Sequence, residues 1–337
     1  MSQPRPDSLA VPTGEFRLAR ADDDFRPPRS DSRWEHETIW LWFYVPERKL
    51  GAWVYHFVRP NIGVSGGGVH LFDDTAWFHM ETPYYLNYGK APMPSEEDLK
   101  EWKFPTGFSF KTVEPLHKYH MSFRDRDVLS FELEWTAFME PWVVLRGEPP
   151  TARHLDQFGR VTGELTLHGE TMQVDCLAMR DRSWDHLRPE PWKDGWGGGT
   201  YITGAASTEL AFFGAGPGGF LLQDGVRSPL VDGRVERIRD PDHGFIRSII
   251  VEGEDKLGRK FVAEGEAVSR MGMPIAGVHG VCWTSLVRYK INGQPGWGDD
   301  QDAWPLHAWS AMRRREQMGL KDVRQPRERR QEGIFGG

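Results

Sequence analysis

The stretch 176–199, CLAMRDRSWDHLRPEPWKDGWGGG, sets Arg180, Asp181, Arg182, Asp185, His186 and Arg188 among Trp184, Trp192 and Trp196. It opens as an apolar strand. Period-two alternation then sends Arg180, Arg182 and Trp184 to one face and Asp181, Ser183 and Asp185 to the other. A buried charge that lacks its partner costs on the order of 3–5 kcal/mol, so an Arg–Asp network here is either an ion-pair latch between domains or a site. His186, beside Asp185 and Asp181, is placed to take up or release a proton near neutral pH. Arg180 or Arg188 would steady negative charge developing during such a transfer.

Two other groups bear on the same chemistry. Glu37 precedes Thr38, Trp40 and Trp42, which share one face of a strand. Beside those rings its carboxyl would be desolvated into a general acid, or else paired with Arg59 on the next strand. His154 stands next but one to Asp156 and opens the second half of the chain, where a pocket between domains would form. His117, Tyr119 and His120 lie near Glu132 and Glu134, but a spacing of three on a strand gives no compact ligand set. No metal is expected, and Tyr119 is read with Trp40, Trp42, Arg59, Trp184, Trp192 and Trp196 as lining for a substrate.

Missing motifs narrow the field further. The sequence holds no dinucleotide fingerprint, no phosphate loop and no Gly-x-Ser-x-Gly elbow, and its glycine-rich runs 63–68 and 214–219 do not open helices. Organic cofactors are therefore not expected. A formal charge of −7 over 337 residues provides no field for a polyanion, so nucleic acid is not an expected partner. No apolar run is long enough to span a bilayer, and the first residues lack the layout of an export signal, which points to a cytoplasmic protein. Cys176 and Cys282 read as buried, reduced thiols. The 15 tryptophans exceed what packing usually requires and suit the walls of an oily ligand site.

The elements that must position these residues are strands. Short apolar or alternating runs recur between turn residues, among them 38–45, 51–59, 75–81, 128–137, 170–180, 260–267 and 280–291. His168-Gly169, Asp224-Gly225 and Asp232-Gly233 read as turns. The fold class is mainly β: two antiparallel barrels or sandwiches packed together, with few helices. Residues 1–30 read as a flexible arm, 31–148 as the N-terminal domain, 149–311 as the C-terminal domain and 312–337 as a basic tail, with a short helix feasible at 308–317.

Arg180-Asp181-Arg182-Ser183-Trp184, with His154, Gly159 and Gly163 upstream, resembles the second-domain signature of the lipocalin-like superfamily of carotenoid 1,2-hydratases. Glu37-Thr38-Ile39-Trp40, Leu50-Gly51 and Arg59-Pro60-Asn61 are similar to the opening of the same two-domain proteins. Asp185 and His186 stand where that pattern more usually has Gly and Pro, which suggests chemistry particular to this chain. The resemblance implies a fold of paired barrels and an activity such as hydrating a double bond or assisting a pericyclic ring closure. Together the residues point to a cofactor-independent lyase that adds or removes water or formaldehyde on an isoprenoid or a phenolic aromatic dimer. A non-catalytic carrier and a cyclase or isomerase remain as alternatives, and a homodimer is left open.

Overall fold

A computed structural model describes residues 18–146, 152–187, 199–275 and 280–318. The first of its two sheets comprises β1 (Glu35–Val45), β2 (Leu50–Arg59), β3 (Val64–Phe72), β4 (Tyr84–Pro92), β5 (Phe108–Glu114), β6 (Lys118–Asp125), β7 (Leu129–Ala137), β8 (Trp142–Arg146), β9 (Ala152–Leu167) and β10 (Glu170–Leu187). Their order is β4-β3-β2-β1-β10-β9-β7-β6-β5, with β8 beside β9. The second is a closed antiparallel barrel of β11 (Gly199–Ser207), β12 (Leu210–Phe213), β13 (Phe220–Gln223), β14 (Val226–Arg239), β15 (Ile246–Asp255), β16 (Lys260–Ile275), β17 (Gly280–Ile291) and β18 (Gln294–Pro305). The helices are α1 (Glu96–Leu99), capped by the Ser95 side chain, and α2 (Leu306–Gln317).

The mainly β, two-sheet architecture agrees with the sequence reading, and the division of the chain differs from it. β9 and β10, expected to open the second domain after residue 148, hydrogen-bond into the first sheet through β1 and β7. The long β9–β10 hairpin turns at His168-Gly169 in left-handed conformations, as its sequence suggests. The expected boundary segment itself (147–151), Arg188, Trp192, Trp196 and most of the basic tail lie outside the described residues.

Three local expectations change. Asp232-Gly233 does not turn but continues β14, where a Cβ at Gly233 would sit 1.8 Å from the Ala215 carbonyl oxygen, so the glycine serves close approach. Residues 75–81 form no strand. Asp73 accepts from the Thr75 N–H and hydroxyl, and residues 77–79 cross to the barrel, exchanging backbone bonds with Gly272. The segment 18–30, expected to be loose, packs into the first sheet and buries Asp22 and Asp23.

The two sheets share a core. Strand β1 is buried along its whole length. One face, carrying Ile39, Leu41 and Phe43, turns into the curl of the first sheet. The other face, with Thr38, Trp40, Trp42 and Tyr44, looks at the barrel, where Trp40 meets Tyr201 edge-on at 5.2 Å and Tyr44 lies 5.7 Å from Trp297. Trp142 Nε1 donates to the Gly218 carbonyl at 3.1 Å, and Phe158 packs on Phe220. Inside the barrel a separate apolar cluster includes Ile202, Phe212, Val251, Phe261 and Tyr289. Within the barrel wall, Arg237 and Arg239 pair with Asp300 and Asp302 at 2.6 Å each.

Barrel closure makes a testable demand. A Cβ at Gly298 on β18 would lie 1.9 Å from the Thr203 carbonyl oxygen on β11. The clash involves backbone and has no flexible side chain to absorb it. Gly298→Ala should lower stability by about 1–3 kcal/mol or more, read as a loss of Tm and of the denaturation midpoint. An unchanged midpoint would mean that β11 and β18 are not in this register.

Candidate active site at the seam of the two sheets

Alternation along β10 divides the charged residues of the sequence motif between two environments, and the break comes at Asp185, which adopts a left-handed backbone (φ 54°). Arg180 and Arg182 point into the curl of the first sheet. There Arg180 donates to the Tyr119 hydroxyl at 2.6 Å and to Gln157 at 3.0 Å, and pairs with Asp23 at 3.2 Å. Its guanidinium also lies 4.2 Å from the centre of the Tyr119 ring. Asp23 in turn accepts from the Tyr119 hydroxyl and the Leu116 N–H. Arg182 binds Glu37 at 2.9 Å and the Asp24 carbonyl at 2.5 Å, and lies over Trp184 at 5.2 Å. Burial pushes the Glu37 carboxyl up to about 7, with Arg182 opposing the shift. The partner of Glu37 is therefore Arg182 and not Arg59, whose guanidinium stacks 5.5 Å from Trp34.

Asp185 pairs with Arg29 at 2.9 Å, and its carboxyl is raised by desolvation against the pull of Arg29 and Arg153. His186 is described only through its backbone, opposite His36 in β1. His120 meets Glu132 on the solvent side of β6 at 3.1 Å, away from the rest.

The other face of the β9–β10 hairpin supplies a different set. Ser183 pairs across strands with His154, and Asp181 with Asp156, so all four side chains emerge together toward the barrel. The ring of His154 bridges them, with Nδ1 2.8 Å from Ser183 Oγ and Nε2 3.1 Å from Asp156 Oδ1. Which ring nitrogen carries the proton depends on the tautomer. The Tyr201 hydroxyl reaches across the seam to donate to the same Asp156 oxygen. Burial first, then the charges of Asp156 and Asp181, raise the Tyr201 phenol well above its ordinary value, so it remains a donor. Trp40, opposite Asp181 in the register, lays its ring against Tyr201.

His154, Asp156 and Asp181 each offer a ligand atom within 4.8 Å of the others, and among the described residues they form the one group of this kind that could hold a metal ion. Ser183 and Asp156 engage both ring nitrogens of His154, so a proton entering or leaving the ring along these bonds passes through the serine hydroxyl or the carboxyl.

From the sequence-predicted residues, the fold brings His154 and Asp181 together with Trp40. It puts Glu37, Arg180, Tyr119 and Trp184 on the inner side and Asp185 at the hairpin's end. Ser183, Asp156 and Tyr201 complete the seam. One further residue escaped the sequence reading. Asp299 on β18 is 2% exposed, accepts from Thr284 Oγ1 at 2.9 Å and from Gln301 Nε2 at 2.8 Å, and has its carboxyl raised by burial to about 7.

The chain matches, over residues 20–305, the family described as a domain of unknown function, DUF7064. It belongs to that family. No curated protein matches it. Among solved structures, CghA with Sch210972 superposes with a TM-score of 0.50 at 13% identity, covering 84% of this chain and 94% of that one. Kievitone hydratase from Nectria haematococca gives 0.48 at 11% identity over 88% and 94% of the two chains. An AttH-like protein from Nitrosomonas europaea gives 0.49 at 15% identity over 87% and 98%. CghA shares the two-sheet, lipocalin-like fold with this DUF7064 chain. Among the described residues no helix is long and apolar enough to cross a membrane.

The raised Asp299 carboxyl has a sign that can be checked. An unfolded aspartate titrates near 4 and the folded one near 7, so between those values the folded state holds the extra proton and stability falls as pH rises. Asp299→Asn removes this penalty. Its Tm relative to the native chain should rise between pH 5 and pH 8, by the equivalent of about 2.5 kcal/mol. A constant difference across that range would show that Asp299 is already ionised at pH 5.

Proposed function

We propose that the chain is an acid–base enzyme of lyase type, a hydratase, dehydratase or formaldehyde-releasing enzyme, acting without an organic cofactor on a hydrophobic small molecule held at the seam. The observation that carries this reading is the buried relay Ser183–His154–Asp156–Tyr201, with Asp181 beside it and Trp40 against it. Polar groups seldom occupy a sheet-to-sheet core, and a group arranged so that a base is oriented on both sides is a sign of proton transfer.

In this reading water gives a proton to the Ser183 hydroxyl, which passes its own to His154 as the water adds to a double bond, and Asp156 steadies the imidazolium while Tyr201 holds Asp156 in place. In the reverse direction His154 gives the proton back through Ser183 to the departing hydroxyl. Seclusion from bulk water strengthens these interactions. The substrate class follows from the rings beside the relay. Trp40 and Trp42 are joined on the same face of the first sheet by Trp53, Tyr55 and His70. Trp53 and His70 stack at 5.2 Å, and His70 stacks on Tyr85 at 4.3 Å. Burial lowers His70 to about 3, so the stack is uncharged. Such a floor suits an isoprenoid or an aromatic substrate. The fold is one in which CghA was crystallised with the small molecule Sch210972, and the resemblance to carotenoid hydratases in 180–184 agrees with hydration.

Purified protein incubated in ¹⁸O-labelled water with acyclic isoprenoids, prenylated flavonoids and lignin-type phenolic dimers should convert a member of the panel, with label in a hydrated product or formaldehyde released. His154→Gln and Asp156→Asn should each cut turnover by about a hundredfold or more. Tight binding of a panel compound by tryptophan quenching, with no conversion by the native chain, would favour a carrier. Conversion with the label absent and the mass unchanged would mark a cyclase or isomerase.

A further inference from the structure

The seam has two walls, and all of the relay except Tyr201 stands on the first sheet. On the first sheet, Trp40, Trp42 and Tyr44 follow one another along a single face of β1, and Trp42 stacks on Tyr44 at 5.1 Å. On the barrel, Gln301, Asp299 and Trp297 follow one another along a single face of β18, and Gln301 pairs with Tyr201 of β11. The walls touch at both ends of these triplets, through Trp40 with Tyr201 and through Tyr44 with Trp297. Trp42 and Asp299, the middle members, lie between these two contacts on their respective walls. The Trp42 indole N–H is buried and has no hydrogen-bond partner among the described residues. Thr284 and Gln301 of the barrel bind one Asp299 oxygen each, so its carboxyl is held on the wall opposite His154, Asp156 and Ser183.

We infer that Asp299 is the second proton-transfer group of the seam, giving a proton to substrate carbon from the barrel side while His154 takes one from water on the sheet side. The inference rests on the lyase reading above. In the hydration direction the Asp299 O–H bond breaks as a C–H bond forms at one alkene carbon. The water oxygen bonds to the other carbon, and its proton passes through Ser183 to His154. The enzyme is left with an Asp299 carboxylate and a His154 imidazolium, and transfer of one proton between them through solvent restores the starting state. No oxidant or further reactant is needed. Dehydration runs the same steps backwards, with Asp299 as the base.

The surroundings of Asp299 suit an acid that is protonated before reaction. Asp300, its neighbour in the strand, disfavours its ionisation, while Thr284 and Gln301 favour it. Arg237 faces Asp300 on the other side of β18. Cys282 and Tyr289 on β17 and Tyr201 on β11 are all held neutral by burial, with Asp299 adding to the shift of each. Asp156 and Asp181 stand behind Tyr201.

Two measurements test the assignment. Infrared spectra of the full chain should show the carbonyl stretch of protonated carboxyls that fades as pH rises through 7. Asp299→Asn should remove part of this band and leave the part due to Glu37, whose carboxyl is also raised to about 7; a band unchanged in Asp299→Asn would overturn the inference. This arm requires no substrate, and a native spectrum without such a band would overturn the inference. With the panel compound that turns over, Asp299→Asn should lose about a hundredfold or more in kcat, keep its binding by tryptophan quenching within about threefold, and regain part of its rate as Asp299→Glu. Thr284→Val, which removes a donor to the carboxylate, should move the high-pH limb of the rate profile upward. Turnover retained in Asp299→Asn but lost in His154→Gln would reject Asp299 alone. Turnover retained in both would reject the seam as the site.

Discussion

The structure depends on one constraint, that a β-strand delivers successive side chains to opposite faces. On β9 and β10 both faces are buried, so every residue from 154 to 158 and from 180 to 184 must be satisfied within the protein. The hairpin meets this demand in two ways. Toward the curl of the first sheet it presents cations, neutralised by Asp23 and Glu37 and covered by aromatic rings. Toward the barrel it presents two carboxylates, a hydroxyl and an imidazole, where His154 joins Ser183 to Asp156 and Tyr201 donates to the same Asp156 oxygen. The hairpin thus carries guanidinium groups on one face and carboxyl groups on the other. The separation requires the backbone between the two faces, and Arg180 and Asp181 are adjacent in sequence yet belong to different networks.

This arrangement also explains the part played by residues 18–30. Their composition is that of a solvated arm, but Asp22, Asp23 and the Asp24 carbonyl supply acceptors that β10 needs. The segment acts as a plug for the inner face. Removing acceptors from a buried guanidinium costs far more than the same change at the surface.

Much of the fold was legible because β hairpins announce themselves in short windows. Strand patterns bounded by His168-Gly169 or Asp224-Gly225 carry both register and direction. The domain division was not legible, since the pairing of β1 with β10 joins segments far apart in sequence and leaves no local sign. The paired prolines near 150 fall between β8 and β9, which pair within one sheet. The alternation of Arg180, Asp181, Arg182 and Ser183 did separate the two faces correctly, but nothing in the sequence says which face meets a second wall. Asp299 was hidden by its setting. In GWGDDQDAWP the acids look like a solvated turn, because both sides of β18 are polar and the apolar signal of a buried strand is missing. A clue existed in Asn292-Gly293, a hairpin turn straight after strand 280–291, which obliges the following residues to pair back along it.

The pairing of β1 with β10 carries a consequence for synthesis. As the chain leaves the ribosome, β1 emerges early and can zip with β2 at once, but its other edge must wait until the whole of β3 to β9 has been made. Through that interval a strand that is apolar from Ile39 to Val45 offers an open row of N–H and carbonyl groups, the condition under which nascent sheets pair with the wrong neighbour. Completion of this edge is a late, nonlocal event, so the first sheet matures slowly, while the barrel, built of consecutive hairpins and sealed by β18 against β11, closes over a shorter length of chain.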